Sequence, residues 1–76
     1  MGGTIEDAIV FSDAKTESEG VNAEHAWTNT HMPGWRWQTQ AVTLTPVGRV
    51  YDVITLTKDG QTRTIYFDIT DWFGQL

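Results

Sequence analysis

The chain contains no cysteine among its 76 residues. Disulfides and thiolate zinc sites are therefore excluded, and the redox compartment is left open. Cations are scarce as well, with five Lys and Arg against ten Asp and Glu. Binding to a phosphate backbone needs a basic footprint, so nucleic acid is not an expected partner. No run is long and apolar enough to span a membrane. The opening Met1-Gly2-Gly3-Thr4-Ile5-Glu6-Asp7 has no basic segment leading into an apolar one. A cytoplasmic protein without a membrane partner is the expectation. No catalytic, nucleotide or metal motif stands out, so neither an enzyme nor a cofactor is expected.

A chain this short makes one domain, near the size where a core is only just sufficient. Its charge is unevenly placed. Glu6, Asp7, Asp13, Glu17, Glu19 and Glu24 face only Lys15 in the first 24 residues, which therefore hold the whole excess of −5. The remainder is neutral.

The fold is organised around Val50 to Ile69, two runs rich in β-branched and aromatic residues that flank Asp59-Gly60. Asp-Gly between such runs is a strong hairpin signal. A two-residue loop pairs Lys58 with Gln61 and Ile54 with Ile65. Val50, Ile54, Leu56, Ile65, Phe67 and Ile69 then share one face, with Asp52 the misfit opposite Phe67. Tyr51, Val53, Thr55, Thr64, Tyr66 and Asp68 form the other face, which suits water. A three-residue loop would slip the register by one and turn Ile54 and Leu56 outward. The first register separates apolar from polar better and is preferred.

Thr4-Ile5-Glu6-Asp7 reads as a helix cap, with Ile5, Ala8 and Ile9 continuing at helical spacing. The rival is a short strand over Ala8 to Ser12, and the helix is slightly favoured. Asp13 to Gly20 is polar and acidic, and reads as a flexible linker. Asn22 is the expected cap of a further short helix with Ala23, Ala26, Trp27 and Thr30 on one face. Pro33-Gly34 stops that helix near His31. Trp35 to Thr45 completes a three-stranded antiparallel meander with the hairpin, and Trp72 and Phe73 in the tail should fold back on the core. The expected class is α+β, with one or two N-terminal helices packed across that meander.

Four tryptophans are the most unusual feature of the composition. In a strand Trp35 and Trp37 point one way and Arg36 the other, and both indoles would crowd a single covering helix. Two roles compete for Trp35, Arg36, Trp37 and the tail's Trp72. They could form an aromatic-plus-Arg anchor for a partner. Packing at the core and its edge is the role favoured for the indoles. His25 and His31 are six apart, on different helix faces, and cannot share a metal. Asp52, Asp68 and Asp71 read as solvated strand charges rather than acid–base groups, with Asp52 and Asp68 on opposite faces. The twelve Thr, including Thr-Leu-Thr at 43–45 and 55–57, suit exposed strand faces.

Pro33-Gly34 after the helix, Tyr51-Asp52-Val53 in the middle strand, Asp59-Gly60 at the hairpin, Phe67-Asp68 in the last strand and Gly74 make residues 21–74 resemble the PepSY domain family. The resemblance implies an inhibitory or regulatory module, of a kind often found outside the cytoplasm and linked to peptidases. The chain differs from that pattern in its Asp71-Trp72-Phe73-Gly74 ending and in having no signal peptide. A double-stranded-RNA-binding domain shares the αβββ order, but the missing basic residues argue against it.

The expected function is a small acidic, non-enzymatic protein-interaction or regulatory module. One alternative is a small-ligand binder or enzyme using the Trp cluster and a carboxylate. Another is a structural subunit of a homo-oligomer. A homodimer is expected in any case. One short helix cannot cover Ile5, Ile9, Val10 and Phe11 together with Trp35, Trp37, Trp72 and Phe73, and two-fold pairing is the common way to bury such a surplus.

Overall fold

The computed structural model describes residues 2–76. Five elements follow in order: β1 (Ile9–Val10), α1 (Glu17–His31), β2 (Arg36–Leu44), β3 (Val50–Lys58) and β4 (Gln61–Asp68). The strands form one sheet in the order β1-β4-β3-β2. β2, β3 and β4 are the expected antiparallel meander, and β1 adds a fourth strand parallel to β4. The class is α+β, with a single helix and a mixed four-stranded sheet in place of a three-stranded one.

The hairpin has the register that best separates apolar from polar. Lys58 pairs with Gln61, Ile54 with Ile65 and Asp52 with Phe67. Asp59 and Gly60 have φ of 51° and 78°, as a two-residue loop with both central residues left-handed requires. Ile54, Leu56, Ile65 and Phe67 are buried as a result. Tyr51, on the opposite face where water was expected, is buried too.

The N-terminal helix expected from Thr4 does not form. Thr4 does accept the Asp7 N–H on its hydroxyl, at 3.2 Å, as a cap would. The chain closes only a turn there, because Ile9 then pairs with Phe67 and enters the core. Gly2 belongs to the same arrangement, accepting the Tyr66 N–H on its carbonyl at 2.7 Å.

The expected linker Asp13 to Gly20 is also corrected, since its second half is the first turn of α1. Thr16, not Asn22, is the cap, and its hydroxyl accepts the Glu19 N–H at 3.2 Å. Glu19 reaches back to accept the N–H of Lys15, one residue before the cap, at 2.8 Å, a variant of the capping box. The Glu17 N–H donates to the Gln75 carbonyl at 2.8 Å, tying the helix start to the tail.

Starting the helix six residues earlier changes the face it buries. Gly20, Glu24 and Thr28 are its buried residues. A Cβ on Gly20 would stand 2.2 Å from the Trp72 ring, so the glycine lets the helix backbone lie directly on the indole. Trp72 and Ile9 are thus core residues within one chain. Ile5, Val10 and Phe73 stay exposed.

Candidate functional site

The Pro33-Gly34 turn places Trp35 just before β2, with its N–H on the Met32 carbonyl at 3.2 Å and Gly34 at φ 85°. Trp35 and Trp37 both lie half-buried against the core. The crowding expected of two indoles under one helix is avoided because each meets a different partner. Trp37 stacks on His25 with ring centroids 4.0 Å apart. Trp35 lies beyond the helix end, and the Arg63 guanidinium sits 5.6 Å from its ring centroid. A bulge between Trp37 and Thr39 follows immediately.

Four residues were the sequence candidates, and the structure brings only part of that set together. Arg36 pairs with Thr57 across the ladder and is exposed, apart from the Trp35 ring that Arg63 covers. Trp72 is 2% exposed beneath Gly20 and belongs to the core, so it does not join Trp35 on the surface. The arginine of the aromatic pair is Arg63, which the candidate set omitted. Its signal was present, because the preferred register sets Arg63 opposite Leu56 on the helix-bearing face.

Around Trp35 and Arg63 runs a shallow groove of about 380 Å³, completed by Trp27, His31, Met32 and Ile65. The helix end makes its ridge. His31 stacks on Trp27 at 4.6 Å and donates from Nδ1 to the Trp27 carbonyl at 3.1 Å. Trp27 in turn stands edge-on to Phe67 at 5.7 Å, and Phe11 stacks on the same ring. On the other side of this ridge a second groove, about 480 Å³, is bounded by Phe11, Val10 and Asp7. Among the described residues no carboxylate pairs with Arg63. The surface is thus apolar, stacked and locally cationic on an acidic chain.

Beneath the helix lies a second polar cluster. Asp52, read from the sequence as a solvated charge, is 2% exposed. Gln40 Nε2 donates to both of its carboxylate oxygens, at 3.2 and 3.0 Å. Glu24, which an Asn22 cap would place in the first turn of the helix, is mid-helix and fully buried. Neither of its carboxyl oxygens meets a donor. Burial, and then the facing Asp52 carboxylate, push the Glu24 carboxyl up to about 9. A proton held by Glu24 and directed at Asp52 removes the repulsion between the two groups. The pair is closed to solvent, so it offers no acid or base to a bound substrate.

Asp68 occupies the opposite face, as expected. Burial raises its carboxyl, but hydrogen bonds from Arg49 and Thr70 outweigh that and hold it below the usual carboxylate value. Among the described residues no three His, Asp or Glu come together as metal ligands. His25 and His31 are engaged on different indoles. No helix is long and apolar enough to cross a membrane. Comparison with protein-family models, with curated proteins and with solved structures found no match to this chain.

Proposed function

We propose that the chain is a non-enzymatic protein-interaction or regulatory module whose contact surface is the flank of Trp35, Arg63, Trp27 and His31. One observation carries this reading: Arg63 lies over Trp35 at the mouth of an open groove, without a carboxylate partner among the described residues. Arg and Trp in that arrangement are the side chains that dominate binding hot spots. An inhibitory or regulatory role of the PepSY kind belongs to the same proposal, through the residues that carry that likeness. The ligand or enzyme alternative is less favoured, because Asp52 and Glu24, the two buried carboxyl groups, are sealed between helix and sheet. The test is capture of a partner from the native host. A protein held by the wild type and released by Trp35→Ala and by Arg63→Glu, with both variants folded, supports the module. A partner retained by both variants overturns the assignment of this surface.

A second reading, a homodimer, is favoured by a different observation. Val42 and Leu44 on the edge strand β2 are 48% and 71% exposed, and Val47 in the turn that follows is 81% exposed.

A further inference from the structure

Resting on that reading of the Trp35–Arg63 flank, we infer that the open end of β4 takes up an extended peptide by strand addition. An apolar side chain of the peptide lies in the adjoining groove and a carboxylate of the peptide meets Arg63.

The backbone supplies the first part. β1 pairs with β4 only at Phe67 and Asp68, and the Gly2 carbonyl takes the Tyr66 N–H. Backbone groups alternate in direction along an antiparallel strand. Tyr66 points outward to Gly2, so Thr64 and Thr62, two and four residues earlier, point outward as well. Both are exposed, and among the described residues nothing pairs with them on that side. An edge with unpaired N–H and C=O groups is a template for another strand.

The side chains supply the second part. Arg63 and Ile65 interleave with those threonines and face the helix side, where they form one wall of the groove. Trp27, Met32 and Trp35 form the rest of it, a surface for one large aliphatic or aromatic side chain. A peptide on the edge sends alternate side chains to that face. Arg63 is the cation beside it, and His31 Nε2 is left by the Nδ1 bond to complete the polar rim. The excess acid of the chain lies in its first 24 residues, so Arg63 marks a local site for an anion on a protein that otherwise repels one. The occupant is therefore an extended segment with a large apolar residue next to Asp, Glu or a free C-terminal carboxylate.

The test uses the full chain and a random octapeptide library displayed with free C-terminal carboxylates. Enriched peptides are resynthesised with a fluorophore and titrated by fluorescence anisotropy. Pro is tolerated on an edge strand where its missing N–H faces outward, so Thr64→Pro removes a docking donor and spares the β3 ladder. The expected result is a large apolar residue next to an acid in the selected peptides. Affinity should fall about tenfold or more for Arg63→Glu and again for Thr64→Pro, the scale of one lost hydrogen bond. A peptide N-methylated at alternate amides gives the same readout without altering the protein, and should also lose binding. Loss with Arg63→Glu, but none with Thr64→Pro or N-methylation, overturns strand addition and leaves the interaction surface standing. Selected peptides that bind Arg63→Glu as well as the wild type overturn the site, as does a library that enriches nothing.

Discussion

The Glu24 carboxyl faces the Asp52 carboxylate across the helix–sheet interface, and both are shielded from water. Such a pair is tolerable only with a proton between the two groups, because two buried negative charges would repel each other and neither Glu24 oxygen has a donor, whereas Gln40 already serves both oxygens of Asp52.

Stability should therefore depend on pH in a direction unusual for a carboxyl group. Glu24 has an ordinary value of 4.5 and a folded value of about 9. Between those limits the folded chain keeps a proton that the unfolded chain releases, so stability is full below the lower value and falls as pH rises towards the upper. The slope approaches about 1.4 kcal/mol per pH unit for one proton. Asp68 works the other way. Held below its ordinary value of 3.8, it contributes stability above that value and loses it as pH falls further. Urea denaturation should find the wild type more stable at pH 5 than at pH 8. Glu24→Gln, whose amide N–H can donate to Asp52 and does not titrate, should flatten this dependence and stabilise the fold at pH 8 by about 2 kcal/mol. A wild type that gains stability from pH 5 to pH 8 would show that Glu24 is not protonated in the fold.

Gly20 carries a second expectation. Alanine is the better helix former by up to about 1 kcal/mol, yet here its methyl would meet the Trp72 ring at 2.2 Å. Overpacking of a tight contact costs about 1–3 kcal/mol, so Gly20→Ala should destabilise despite its propensity. Trp72→Leu in the same chain should make the alanine nearly harmless, since the two residues are in contact and do not add independently. Thermal melts of the two single variants and the pair measure this. Additive losses would mean that Gly20 and Trp72 do not touch.

The contrast between β3–β4 and the first 24 residues shows where the sequence was legible. Strand alternation from Ile54 to Phe67 has a period of two, and only one register buries Ile54, Leu56, Ile65 and Phe67 together, so pairing followed from pattern. The N-terminal part has no such redundancy. Ile9 and Val10 became a strand because Phe67 and Asp68 offered a free edge, a long-range reason that local spacing does not contain. The start of α1 is masked by composition, because Asp13 to Gly20 is polar and acidic. Thr16 and Glu19 stand at capping-box spacing inside that same stretch, and the signal was simply outweighed by polarity. With the start moved, Glu24 shifted from the first turn to the buried face. The site shows the same split: Trp35 and Trp37 were visible by type, whereas Arg63 became the companion of Trp35 through the hairpin register.

Thr16 tests the cap. Thr16→Ala removes the acceptor for the Glu19 N–H and should cost about 1 kcal/mol, whereas Asn22→Ala, mid-helix and exposed, should change little. Equal losses at both positions, read from chemical denaturation, would argue for a helix that starts later.

Self-assembly through β2 is the remaining expectation, and its geometry can be stated. β2 pairs with β3 alone, and its other edge is open among the described residues. No charged side chain occurs between Arg36 and Arg49, so the edge lacks the charges that usually block pairing with another strand. Val42 aligns with Asp52, and Leu44 with Val50, which puts both on the helix-bearing face, where they stay 48% and 71% exposed. An antiparallel pairing about a two-fold axis at Val42 would set Val42 against its own copy and Gln40 against the second copy's Leu44. Both helices would then lie on the same side of one continuous sheet, with the valine and leucine side chains covered between them. Pro46, which has no N–H to offer, limits the paired stretch at one end. Light scattering after size exclusion should give twice the 8.6 kDa chain mass at micromolar concentration. Val42→Lys, which sets two like charges opposite each other at the axis, should return the single-chain mass with an unchanged circular dichroism spectrum. A wild type that stays at the single-chain mass into the millimolar range, with a melting temperature independent of concentration, would refute the β2 dimer.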